Sequence, residues 1–403
     1  MPPLVYLETS HTALSNAHTG IQTVVRGLIA GLSSQGCAVH PLRWSFKRKS
    51  LTPLKPQWER NLGLPRGGKT WLPLSSILDT RFWWTWKTAW GMSYRTPVHR
   101  HPAYAELFKD GWLIMPELME GFHVRLATDY ARQRGMRVVG IFHDAIPWLH
   151  PEMVLHWTRN QHADYMMAFA ELDAVIADSH QSARHFTEFV VSQDGSLPPV
   201  RVCRLAAQIA GEERATQLKQ SRDGIVRILC VGTLEPRKNH ARLIEAFELA
   251  SSRLDERKME LHLVGAIYAG NPEIAESVRV IAANNPAIFW HGSVGTAELR
   301  KFYRDCDFTV FGSWIEGFGL PVMESLWFGK PCLCSDQGVI AENAEGGGCL
   351  PVNMQDVTAL ADGMVKLAGN LDFRRKLSEQ ALRRELKTWN DYAGEILGLL
   401  KKI

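Results

Sequence analysis

The 403-residue chain is 45% hydrophobic and 22% charged, an ordinary globular composition for two domains or one large one. Its formal net charge of +4, without an arginine-rich arm or a nucleic-acid module, argues against a nucleic-acid partner and suits small anionic ligands. Seven cysteines with no CxxC pair, and no His/Cys cluster at zinc spacing, argue against a disulfide framework and a structural metal, so reduced cytoplasm is the expected compartment.

In chain order, MPPLVYLETS lacks a charged segment followed by a long apolar run. No signal peptide is expected, and no apolar run is long enough for a bilayer span, so any membrane contact is expected to be peripheral. LVYL at 4–7 is the first predicted strand, followed by a polar loop and a helical face of Ile21, Val24, Val25, Leu28 and Leu32. From 41 to 112 the pattern turns irregular. This stretch holds Trp44, Trp58, Trp71, Trp83, Trp84, Trp86, Trp90 and Trp112, with Arg43, Lys47, Arg48 and Lys49 beside the first. Such a composition suits a membrane interface or a sugar-stacking groove, or else an insertion packing its aromatics on its own domain.

Further strands are predicted at 137–142, 174–177, 227–232, 261–265, 308–312 and 331–334, with helical patterns between them. This alternation predicts parallel βαβ units, and Cys332 and Cys334 share one face of a buried strand. Between 192 and 224 the periodicity fades around a Pro-Pro, the best domain boundary. The expected organisation is a first domain over 1–205, a linker over 206–224, a second domain over 225–385 and a C-terminal helix over 386–403 packing back toward the first. The tail from 373 reads as helical throughout.

Chemistry-bearing residues gather just past predicted strand ends. In VGTLEPRKNHARLIEAF, 231–247, a strand ends at Gly232, and Arg237 with Lys238 precedes the next helix. Two cations at the positive end of a helix dipole cost up to about 1 kcal/mol each when exposed, and a bound phosphate reverses that sign. In FGSWIEGFGLPVMESLWFGKP, 311–331, Glu316 lies in a loop and Glu324 in what reads as the first turn of a helix opened by Leu320-Pro321 and closed at Gly329. Neither glutamate has a nearby side chain to neutralise it in this stretch. The bare Gly317-Phe318-Gly319 backbone lets N–H groups approach a ligand, and a loop carboxylate at a parallel strand's C-terminal end can grip hydroxyls of a sugar or ribose. In VVGIFHDAIPWLHPE, 138–152, Asp144 is expected either to orient His143 or to cap the turn, and His143 to contact a sugar or leaving group. The DxD in RDCDF, 304–308, reads as a decoy, with Asp305 ending a helix and Asp307 preceding a strand.

Together these motifs resemble the GT4 family of retaining glycosyltransferases. Glu316 and Glu324 match the family's E-x7-E motif, Arg237 and Lys238 in LEPRKN its basic phosphate pair, HTGIQTVVRGL around Gly20 its glycine loop, and His143 its N-terminal-domain histidine. GIQ..VR, HDAIP..HPE and LEPRKN look most like bacterial polysaccharide-assembly members, often mannosyl- or rhamnosyltransferases. The Trp-rich stretch has no family counterpart. The resemblance implies an α/β fold of GT-B type, two Rossmann-like doubly wound domains facing across a cleft, acceptor on the N-terminal side and nucleotide sugar on the C-terminal side. It further implies that Glu324 binds the ribose and Glu316 the sugar hydroxyls, while Gly232, Val294, Gly317, Phe318, Gly319 and Leu320 line the donor. Val294 lies in HGSVGTAEL, 291–299, whose backbone is expected to line the base pocket. Arg237 and Lys238 would neutralise the diphosphate, so no metal or other cofactor is expected.

The implied partners are a nucleotide sugar, with GDP-mannose favoured over a UDP-hexose or dTDP-rhamnose, and a glycan or lipid-linked acceptor. A peripheral contact with the inner face of the cytoplasmic membrane is also implied, with no nucleic acid. Three other classes remain open from the residues: a retaining glycosidase using two carboxylates, an epimerase of the same architecture, and a non-catalytic nucleotide-sugar binder.

Overall fold

Two parallel sheets, each with its strand order reversing near the middle, organise the chain. The computed structural model describes residues 3–15, 20–63, 110–154, 158–217, 224–254, 258–268 and 270–403. The first sheet contains β1 (Val5–Glu8), β2 (Val39–Ser45), β3 (Ser50–Pro53), β4 (Trp112–Met115), β5 (Arg137–Phe142), β6 (Ala174–Ala177) and β7 (Val200–Val202), in the spatial order 3-2-1-4-5-6-7. All of its neighbours are parallel except β2 and β3. The second contains β8 (Val226–Val231), β9 (Met259–Val264), β10 (Ile288–Trp290), β11 (Phe308–Phe311), β12 (Cys332–Ser335) and β13 (Cys349–Val352), in the order 10-9-8-11-12-13. Each sheet therefore has a switch point, between β1 and β4 in the first and between β8 and β11 in the second. Open parallel sheets bind ligands there, beyond the carboxyl ends of the strands.

The strands are apolar on both faces because helices cover both. Val5 and Leu7 of β1 join one core with Ile114, Val139, Ile141 and Ile176, while Tyr6 joins the other with Leu113, Met115, Val138 and Val175. The first of these cores continues into the second domain through Leu229, Phe311, Cys332 and Cys334.

The Trp-rich stretch does not begin as an insertion. Leu42 and Trp44 alternate inward on β2, Trp112 is buried on β4, and β2 pairs with β3 from Leu42↔Pro53 to Ser45↔Ser50. Pro41 and Pro53 obscured these strands, since proline is tolerated only toward sheet edges. Trp71, Trp83, Trp84, Trp86 and Trp90 lie outside the described residues.

The tail is also not helical throughout. One helix ends at Arg383 and another begins at Trp389, with Arg384 and Thr388 extended between them. The Arg214 guanidinium takes the carbonyls of Ala381 and Leu382, and that of Arg384, at the first helix's end. Thr388 and Asp391 form a capping box that starts the second.

The C-terminal helix, Trp389–Leu400, crosses to the first domain and packs on the helix Gly20–Ser34. Gly27 and Gly31 permit this contact: a Cβ on Gly31 would lie 2.2 Å from the Trp389 carbonyl oxygen, and one on Gly27 would lie 2.1 Å from the Trp389 ring. Trp389 is fixed in turn by its indole N–H to Gln208 O at 2.9 Å. Gly31→Val is expected to force the helices apart and destabilise the protein by about 2 kcal/mol, read as a lower Tm in a thermal melt.

Candidate active site

At the second sheet's switch point, the loop after β8 passes Gly232 and closes in a single 3-10 turn, Pro236–Lys238. Asn239 then adopts left-handed backbone (φ 60°), anchored by its side-chain amide to Met354 O at 2.6 Å, and the helix His240–Ser252 begins. This bend turns Arg237 and Lys238 toward the loop after β11. Trp314 N–H donates to Arg237 O at 3.3 Å, and the Arg237 guanidinium donates to Ile315 O at 3.2 Å, so the two loops are one hydrogen-bonded unit. Gly232 leaves room for the Lys238 stem, whose Cδ would lie 3.4 Å from a Cβ at that position.

Glu316 is not an unneutralised carboxylate. Arg237 holds its Oε2 at 2.6 Å, Lys238 Nζ binds its Oε1, and Ser313 Oγ donates to the same oxygen at 2.6 Å. Burial alone would raise the carboxyl pKa, but Arg237 and then Lys238 outweigh it and hold Glu316 at about 2. Arg237 also pairs with Glu235 at 2.7 Å. Two cations thus meet two carboxylates in a largely dehydrated pocket, with partners 78 residues apart that sequence proximity could not reveal.

Glu324 is the fifth residue of the helix Leu320–Trp327 and lies beyond its first turn, where the helix dipole has faded. Its carboxylate accepts from the Tyr303 hydroxyl at 2.8 Å. Burial pushes Glu324 up to about 7, against the opposing effect of that bond. The helix is entered through Gly319, which is left-handed at φ 87°. Phe318 is buried, with its carbonyl held by the Asn343 amide, Val294 packs at the edge of the core, and Leu320 approaches Gly20 across the domains.

Gly317 is where the two domains meet. A Cβ there would lie 2.5 Å from His143 O and 2.8 Å from Asp144 Cβ, so only glycine permits the contact. Its carbonyl accepts from Ser179 Oγ at 3.1 Å and Ser182 Oγ at 3.2 Å, both from the first domain.

The structure settles the role of Asp144: its Oδ1 accepts from Ile146 N–H at 2.9 Å and caps the turn. The residue that orients His143 is Asp178, at the end of β6, with Oδ2 2.5 Å from Nδ1. His143 Nε2 meets Pro116 O at 2.8 Å. Burial disfavours the charged ring, but Asp178 outweighs it and raises the His143 pKa to about 9. Both ring nitrogens then donate, and the imidazolium has no lone pair with which to act as a base. Asp178, Ser179, Ser182, Ser313 and Tyr303 were not singled out from sequence. Asp178 had a signal, since ADSH directly follows the strand AVIA.

Residues 225–370 match the sequence profile described as Glycosyl transferases group 1. The serotype-specific mannosyltransferase WbdA of Escherichia coli is 25% identical over 252 residues, covering 59% of this chain and 31% of that protein. The O-antigen chain mannosyltransferase B of Escherichia coli is 30% identical over 134 residues, covering 33% of this chain and 34% of that protein. The matches thus span about a third of these relatives' own length. Among solved structures, sucrose-phosphate synthase of Thermosynechococcus elongatus aligns with a TM-score of 0.67 at 18% identity, covering 99% of this chain and 98% of that one. HepE of Anabaena, solved with UDP and glucose, aligns at 0.64 and 13% identity over the whole of both chains. The second domain is a group 1 glycosyl transferase domain, and the chain has the GT-B fold of two Rossmann-like domains.

The His143 pair has a measurable signature. Its contribution to stability is complete below the ordinary histidine value of 6.5 and is lost as pH rises through about 9. An NMR titration of the ring is expected to give a midpoint near 9, and Asp178→Asn to lower it, because burial is then opposed only by the Pro116 carbonyl and Asp144.

Proposed function

We propose that the protein transfers a hexose from a nucleotide sugar to a glycan or lipid-linked acceptor, with retention of anomeric configuration. The observation that carries this reading is the Arg237–Lys238–Glu316 cluster at a switch point of a group 1 glycosyl transferase domain. In this account the donor diphosphate takes the two cations from Glu316, and the released carboxylate turns to the sugar hydroxyls. Glu324 accepts from the ribose, and the amides of Gly317–Gly319 approach the sugar or diphosphate. The bond from the anomeric carbon to phosphate breaks as the acceptor oxygen bonds on the same face, and the acceptor proton passes to the leaving phosphate. Arg237 and Lys238 stabilise the charge that develops there, so the donor side requires no metal. His143, a cation with both N–H groups engaged by Asp178 and Pro116 O, borders the sugar as a fixed wall of the site, and Asp144 shapes the turn behind it.

Mannose from GDP-mannose is the favoured donor, because the relatives named above are mannosyltransferases. The UDP and glucose bound to HepE support a UDP-hexose as the second reading. No helix among the described residues is long and apolar enough to cross a membrane. A lipid-linked acceptor would be met at the inner face of the cytoplasmic membrane by peripheral contact.

Incubation with a nucleotide-sugar panel and crude lipid-linked acceptors, read by mass spectrometry, is expected to show hexose addition. In that assay Arg237→Ala and Lys238→Ala should each lower kcat by roughly two orders of magnitude, as loss of a donor to transition-state charge does. Near-normal turnover in either variant would contradict the assignment.

A further inference from the structure

The switch point of the first sheet, between β1 and β4, carries a second set of ligating side chains that the donor site does not use. His11 leaves β1 in the short helix Ser10–Ala13, Glu120 stands at the N-cap position of the helix Gly121–Arg132 that follows β4 without a side-chain capping bond, and His123 sits in the first turn of that helix. The spacing of three in Glu120-x-x-His123 sets both side chains on one side of the helix. One nitrogen from each histidine and one oxygen of Glu120 all lie within 4.8 Å of one another. Residues so far apart in sequence carry no zinc-spacing signature, and the fold alone assembles them.

His123 is the independent pointer to a ligand. It is 1% exposed, flanked by the Trp44 and Phe46 rings at centroid distances of 6.2 and 5.5 Å, and neither ring nitrogen has a hydrogen-bond partner among the described residues. Its Nε2 instead faces the buried Glu8 carboxylate, Oε1 at 3.5 Å. Glu120 Oε2 is likewise buried without a hydrogen-bond partner. A buried polar group left unsatisfied destabilises the fold. A cation between them satisfies both.

We propose that His11, Glu120 and His123 bind one divalent transition-metal ion, with Glu8 as the carboxylate that orients His123. Two imidazoles and a carboxylate suit zinc or a neighbouring first-row ion, whereas magnesium and calcium prefer all-oxygen sets. Metal-bound histidines commonly give their second ring N–H to a carboxylate, the place Glu8 occupies. The 4.8 Å envelope is wider than the ~3.3 Å ligand separation of a tetrahedral zinc site, so the partly exposed His11 and Glu120 side chains would draw in on a bound ion. Three protein ligands leave a coordination position for water or an oxygen of a bound glycan or phosphate. The site lies in the first domain beside the wall that holds His143: Glu117 accepts from the amides of His11 and Thr12 at 2.7 Å, and Pro116 O takes the His143 ring. It stands independently of the donor reading.

The test is isothermal titration of the full chain, stripped with chelator, with zinc chloride and separately with manganese chloride. The expected result is one ion per chain for at least one of the two metals. His11→Gln and Glu120→Gln should weaken binding at least tenfold while circular dichroism shows both folded, and Arg237→Ala should keep the wild-type affinity. Absence of stoichiometric binding of either metal, or unchanged affinity in folded His11→Gln and Glu120→Gln, would overturn the assignment.

Discussion

The structure depends on one buried electrostatic knot, the Glu316 carboxylate between Arg237 and Lys238. Taking these charges out of water costs several kcal/mol per ion, and only close pairing with further hydrogen bonds repays that cost. Here the pairing ties the loop after β8 to the loop after β11, and Ser313 and Glu235 complete it. For the proposed donor diphosphate, the same groups offer two largely buried cations preset by the Asn239 bend. In the proposed reaction, the carboxylate that holds these cations in the resting protein stands where the donor phosphate would bind. Binding of an anion then becomes an exchange, with the released Glu316 as the second product.

The second constraint is contact between domains. Gly317 carries the end of this loop against the His143 backbone, and Ser179 and Ser182 hold its carbonyl. The C-terminal helix returns to the first domain over Gly27 and Gly31. Donor-side and N-terminal groups are thereby held in one register. The His143–Asp178 ion pair adds no net charge at this junction, and it keeps both imidazolium N–H groups fixed on Asp178 and Pro116 O at neutral pH. Both switch points carry charged clusters, one cationic with a carboxylate, the other of imidazoles and carboxylates. The cleft is thus chemically asymmetric.

Much of this was legible in the sequence because parallel strands buried on both faces read as short apolar runs, and their carboxyl ends mark where ligands bind. RVVGIF, RILCVG and FTVF gave strands, and the loops after them gave His143, Arg237 with Lys238, and Glu316. What escaped had physical causes. Strands β2 and β3 carry prolines and an exposed edge, so their pattern looks like irregular chain. The partner of Glu316 lies 78 residues away, and Asp144, adjacent to His143, was an easier guess than Asp178 across the sheet. Glu324 was placed by counting along one helix, whereas its carboxyl is governed by Tyr303 on another. The Glu120–His123 pair was invisible because its companion His11 comes from the far side of the switch point.

The proposed exchange of Glu316 for phosphate can be measured by isothermal titration with a nucleoside diphosphate lacking the sugar. Glu316→Gln keeps the shape and removes the competing charge. This variant is expected to bind the base-matched nucleoside diphosphate several-fold more tightly than the wild type while losing turnover with the nucleotide sugar. Weaker diphosphate binding in Glu316→Gln, or no nucleoside diphosphate bound by the wild type, would contradict it.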